Sequence, residues 1–248
     1  MATATVTRKP ANFLINFWDI LTAPNEAFRR ISAVQPKSWW FPALLSLIAP
    51  ILHVYFTMDL QIERMKKVSA LQLSNMTPEQ ADAARPVIER MAHPNAILLS
   101  SLAQVVLGLL VAWGIAMLIL YFGIALTGSS PKTNGLWAAI AWSWTPLAIR
   151  PLWQLVWNLS RGALIKYPGV SYWVATGKIA EDQRNPLFLT AAQLDFFALW
   201  HLILVYLLIR IVGKLGRGSS LLLTLVYAFV QLGIRLLPLL LTTLSSAR

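Results

Sequence analysis

Residues 193–218 read QLDFFALWHLILVYLLIRIVGKLGRG, from Gln193 to Gly218. The stretch opens with Asp195, the only acidic residue inside any long apolar run of the chain. Phe196, Phe197 and Trp200 follow, then a helix-length apolar run broken only by His201 and closed by Arg210, Lys214 and Arg217. An apolar run with a basic collar at one end only predicts a membrane-spanning helix whose collar lies in the cytoplasm.

The rest of the chain fits that solvent. Of its 248 residues 57% are hydrophobic and 12% charged, and its mean hydropathy of +0.60 lies outside the soluble range. Without cysteine there is no disulfide framework, thiolate nucleophile or cysteine metal site. The net charge of +11 reads as basic cytoplasmic loops facing anionic lipid. No basic patch sits on a soluble domain, so nucleic acid is not an expected partner. No small-residue cleavage site follows an apolar h-region, so no signal peptide is expected.

Residues 11–21 are aromatic-rich and too short to span, which predicts an interfacial helix in the headgroup plane. Thr22 through Glu26 reads as the start of a second short helix, with Thr22 as cap and an early proline at Pro24. That helix would set Phe28 and Ile31 against Arg29 and Arg30 on opposite sides. Phe17, Trp18, Phe28, Arg29, Arg30, Trp39 and Trp40 are the expected membrane-surface anchors.

Spans are expected over about residues 40–58, 96–126, 136–159, the opening stretch 193–218, and 221–244, where roughly 20 residues suffice to cross a bilayer. The second carries no charge, and its excess length predicts tilt or projection beyond the bilayer. The third holds Pro146 and Pro151, which must bend or break it. Residues 59–95 are polar and balanced in charge, with a capping-box start at Thr77-Pro78-Glu79-Gln80, and read as an extramembrane helical hairpin. The N-terminal segment and the loops after spans two and four are basic, so the N-terminus is expected inside and the C-terminus outside.

Three patterns together resemble the Yip domain family of five-span membrane proteins. They are Pro24-Asn25-Glu26-Ala27-Phe28-Arg29-Arg30-Ile31 followed by Trp39-Trp40 and Pro42, the long second span with its Gly-rich turn and the Trp144 and Pro146 pair, and the Leu194-Asp195-Phe196 start of span four with Trp200. The resemblance covers nearly the whole chain. It implies an all-α integral membrane protein with five transmembrane helices, an N-terminal interfacial helix and the extramembrane hairpin between spans one and two. Residues 1–38 would form a cytoplasmic segment with an amphipathic helix, and residues 39–248 the Yip-like membrane domain. Eukaryotic members bind Rab-type GTPases in vesicle trafficking. The long cytosolic N-terminal region of those members is not expected here, and the chain is more similar to bacterial members, which implies the cytoplasmic (inner) membrane.

Ionisable residues within spans mark function or buried pairing. Arg150 and Arg235 each lie about 14 residues into their spans, roughly 21 Å from the cytoplasmic edge at 1.5 Å per residue, and Asp195 starts span four on the outer side. The three either share an ion cluster able to hold an anionic group, or Asp195 caps its helix while each arginine reaches outward. His53 and His201 lack a ligand at i+3 or i+4, so no metal is expected, and the tryptophans of span three are expected to pack on neighbouring helices. No nucleophile elbow, phosphate loop or His-x-x-x-His pattern occurs. Neither catalysis nor a cofactor is therefore expected. The sequence reads as a non-enzymatic membrane organiser or adaptor acting through membrane lipids, a membrane-protein partner or a homo-oligomer. The alternative is a transporter or lipid-handling protein that uses Asp195, Arg150 and Arg235.

Overall fold

A chain that leaves water must satisfy its backbone internally, and every regular element among the described residues is a helix. The computed structural model describes residues 12–246, other than 75 and 183, and their side chains apart from 179, 180, 235 and 237–246. Helix α1, Phe13–Thr22, ends where the Thr22 hydroxyl donates to the Trp18 carbonyl. That hydroxyl does not cap the next helix, as the sequence suggested. Helix α2, Pro24–Val34, starts from Ala23 without a side-chain cap, and Pro24 fills the first turn, where its missing N–H costs nothing.

Helix α3, Trp40–Phe56, meets α4, Met58–Leu73, at a bend of 71°. Helix α5, Pro78–Met91, begins with the reciprocal Thr77–Gln80 capping box that its motif predicts. Helix α6, Pro94–Ala125, is 32 residues long, about 48 Å at 1.5 Å per residue.

The expected third span is two helices, α7, Thr133–Ser143, and α8, Thr145–Arg161. Pro146 has no N–H to donate to the Trp142 carbonyl one turn back. The Thr145 hydroxyl takes that carbonyl instead, at 2.7 Å, and the freed Ser143 carbonyl bonds His201 Nδ1 at 2.8 Å. A carbonyl only accepts, so Nδ1 carries the proton and Nε2 accepts from the Tyr227 hydroxyl at 2.8 Å. His201 thus joins the break to both helices that flank it.

A 3₁₀ turn at Ser171–Val174 and the short helices α9, Ile179–Asp182, and α10, Pro186–Ala191, occupy the loop that follows α8. Helices α11, Phe196–Ile211, and α12, Arg217–Ser246, complete the chain. Among the described residues two helical stretches are long and apolar enough to cross a membrane, α6 and residues 217–234 of α12; there are three if α3 and α4 form one broken span.

Helix α7 is the centre. From Gly135 to Ser143 every residue but Trp137 is buried, as expected of a helix apolar on all sides. Helices α2, α6 and α11 pack around it, and α3 lies along α8. Ala27, Phe28 and Ile31 of α2 are fully buried in this core. A β-carbon on Gly135 would sit 2.6 Å from the Ser32 carbonyl, so only glycine lets α2 approach so closely. Ser129 donates to the Gly213 carbonyl at this same end of the bundle. The α4–α5 hairpin and the loop of residues 162–195 occupy the other end.

Candidate functional site

Asp195 is in extended conformation immediately before α11, and its Oδ1 accepts from the Ala198 N–H at 2.8 Å. The same carboxylate lies 2.6 Å from a terminal nitrogen of Arg150 on α8. Cap and ion pair coexist because a carboxylate has lone pairs for both. The two side chains keep only 20% and 16% of their exposure. Arg150 also donates to the Gln193 carbonyl at 3.2 Å, while its Nε has no partner among the described residues. Arg235 lies within α12, and its side chain is outside the described residues, so the expected group of three is described here as a pair.

The histidines are far apart in role. His53 Nε2 accepts from the Asn158 amide at 2.9 Å and Asn158 Oδ1 takes the Ile165 N–H, tying α3, α8 and the start of the following loop together. Among the described residues no group of three or more His, Cys, Asp or Glu stands close enough to hold a metal. Of the span-three tryptophans, Trp137 and Trp144 pack edge-on against Trp113 and Trp142 stacks on Phe41, whereas Trp153 and Trp157 are exposed.

The expected surface anchors divide. Trp18, Trp39 and Trp40 are exposed, at 62%, 40% and 45%. Arg29 is exposed too, and Phe17 packs half-buried against the core. Phe28 is buried, which corrects its reading as an anchor: with Ala27 and Ile31 it forms the stripe that α2 places on α7 and α11 rather than on lipid. Arg30 turns inward, donating to Asn16 at 2.9 Å and to Asp19 at 2.6 Å.

Two cavities flank the ion pair. One, about 320 Å³, lies between α11 and α12; Leu147, Leu202 and Leu225 line it and His201 and Tyr227 form its polar floor. The other, about 650 Å³, lies between α4 and the loop after α8; Glu63, Arg64, Lys67, Lys166 and Asp182 line it. Gln193 lines both. Asp195 and Arg150 line neither. In the second cleft a hydrogen bond from Lys67 and its charge hold the Glu63 carboxyl below its ordinary pKa. No sequence motif announces these cavities, because their walls come from segments far apart in the chain, such as Leu147 and Leu225 in the first and Lys67 and Phe188 in the second.

The loop behind the pair depends on Gly169. Its φ is +59°, and a β-carbon there would lie 2.7 Å from the carbonyls of Ala191 and Leu194. Those carbonyls also accept the Val170 N–H. Gly169→Ala is expected to cost about 2–4 kcal/mol, from left-handed strain plus overpacking, and to shift the seat of Asp195. Thermal unfolding in detergent measures it; a loss within about 0.5 kcal/mol, the level of an ordinary surface change, would show the loop to be free to yield.

The apolar helices, the internally satisfied backbone and the charge pair tucked between helices define an all-helical integral membrane protein. The chain belongs to the Yip1 domain family: the model of the Yip1 domain matches residues 18–238. No curated protein and no solved structure matches the chain. The match starts within α1, so the end of α1 and all of α2 fall inside the family domain, as the packing of α2 on α7 and α11 would suggest.

Proposed function

We propose that the protein is a non-enzymatic membrane organiser or adaptor with five crossings, formed by α3, α6, the broken α7–α8 pair, α11 and α12. It resides in a bacterial cytoplasmic membrane with its N-terminus inside and its C-terminus outside, and works through lipids and a membrane-protein or self partner. The observation that carries this reading is the N-terminal unit. Helices α1 and α2 dock on the bundle core through Ile20, Phe28 and Ile31, yet leave Trp18, Arg29 and the following Trp39 and Trp40 exposed. Exposed amphipathic rings and an exposed cation in one N-terminal unit suit the headgroup layer of an anionic leaflet. The family match agrees with a non-catalytic role. Use of the ion pair to hold an anion is less well supported. Asp195 already neutralises Arg150, and neither side chain lines the cavities described above.

The chain has no cysteine, so a single Cys at position 18 can carry a polarity-sensitive dye. In liposomes the dye is expected to be quenched by lipids spin-labelled near the headgroup, and reporter fusions after Arg248 and within residues 59–95 are expected to report outside. A dye quenched only from water, or inside signals from both fusions, would sink the surface role or the orientation respectively.

A further inference from the structure

We infer that the two cavities, which share Gln193 as a lining residue, form one binding site for an anionic phospholipid, its headgroup in the cleft beneath α4 and one acyl chain between α11 and α12. The cleft between α4 and the loop after α8 contains three cations, Arg64, Lys67 and Lys166, against two acids, Glu63 and Asp182. Lys67 is taken by Glu63 at 2.6 Å. Asp182 is occupied by the N–H and hydroxyl of Thr176. Arg64 and Lys166 enter no ion pair among the described residues. The surplus of one positive charge matches one phosphodiester, and guanidinium and ammonium are the groups that bind phosphate oxygens.

The second cavity supplies the opposite chemistry. It begins at Gln193 and Leu194 and runs along the start of α11 past Ala198 and His201 to Leu202, about 9 Å of helix at 1.5 Å per residue. Its walls are almost wholly apolar. The two polar groups at its floor, His201 and Tyr227, already bond each other. At about 320 Å³ it falls at the small end of ligand pockets, which run from roughly 300 to 1,000 Å³. A soluble anion would use only the cleft, and a neutral apolar molecule only the cavity. A wall shared by both suits a ligand charged at one end and apolar along its length. Arg150 holds the Gln193 carbonyl, so the ion pair positions that wall without meeting the ligand.

The site rests on the membrane embedding proposed above and not on its orientation. The test is native mass spectrometry of the full chain released from micelles carrying equal phosphatidylglycerol and phosphatidylcholine. The wild type is expected to retain one phosphatidylglycerol with about tenfold preference, a difference of about 1.4 kcal/mol. R64Q/K166Q, both on exposed side chains, is expected to abolish the preference. Ala198→Phe, or Leu225→Trp from the α12 side if the first variant unfolds, is expected to reduce retention of both lipids. Glycerol phosphate is expected not to compete. Equal retention of both lipids by the wild type, a preference unchanged in R64Q/K166Q, retention unaffected by filling the cavity, or displacement by glycerol phosphate would each overturn the two-part site. Lipid retention is read whatever the dye at position 18 reports, so the two readings fail separately.

Discussion

Asp195→Ala is expected to lower stability in detergent by about 3–5 kcal/mol, the range for removing one partner of a buried ion pair. Asp195 and Arg150 are 2.6 Å apart, with less than a quarter of either side chain exposed. The alanine variant leaves the guanidinium between helices with only the Gln193 carbonyl as an acceptor. It also removes the cap on the Ala198 N–H, worth about 0.5–2 kcal/mol. Asp195→Asn separates these contributions. The amide oxygen can still cap, so its loss reports the charge alone and should be the smaller of the two. The double variant D195A/R150L strands no charge and is expected to recover part of the deficit, because removing both partners costs less than removing one. Thermal melts of the four proteins decide the matter. Should D195N melt like the wild type and R150L fail to rescue D195A, Asp195 acts as a helix cap and the pair contributes nothing measurable.

Trp142→Ala is expected to cost about 3–5 kcal/mol, the usual loss for a buried tryptophan truncated to alanine. The side chain is fully buried near the C-terminal end of α7. Its indole N–H donates to the Ser38 hydroxyl at 2.9 Å, and that hydroxyl donates to the Gln35 carbonyl at the end of α2. Its ring stacks on Phe41 at 5.7 Å between centroids. One residue therefore fastens the turn between α2 and α3 to the core. Trp142→Phe keeps most of the apolar area and loses the hydrogen bond, so its cost should be nearer 1 kcal/mol. Beyond the change in melting temperature, W142A should expose residues 35–40 to limited proteolysis before the bundle itself unfolds. Protection equal to the wild type would show that the N-terminal pair holds on through α2 alone.

Much of the architecture is local and was legible in the sequence. Thr77 and Gln80 lie three residues apart and cap each other whatever surrounds them. Pro146 lacks an N–H for the Trp142 carbonyl and the chain breaks at Trp144, whereas Pro151, also expected to bend or break the span, lies inside α8 without ending it. The uncharged second run forms one unbroken helix, Pro94–Ala125. Arg150 and Asp195 stood out because charge is costly in an apolar run. Thr22 was misread because a hydroxyl between two helices can serve either, and its bond to Trp18 closes the first. Phe28 was misread because amphipathic spacing identifies an apolar stripe and not what covers it.

The sequence by itself determined the solvent of this protein, its helices and the Yip1 family to which it belongs, since hydropathy, proline and caps act within a few residues of themselves. Tertiary structure alone decided the rest. It chose Arg150 as the partner of Asp195 across 45 residues, buried α2 against α7 and α11, gave His201 the carbonyl freed at the helix break, and brought Gln193 between an apolar cavity and a charged cleft. Each of these depends on which helix faces meet. Many pairings of apolar faces bury similar area, so the choice falls to close packing at Gly135 and to the few polar groups that must find partners away from water.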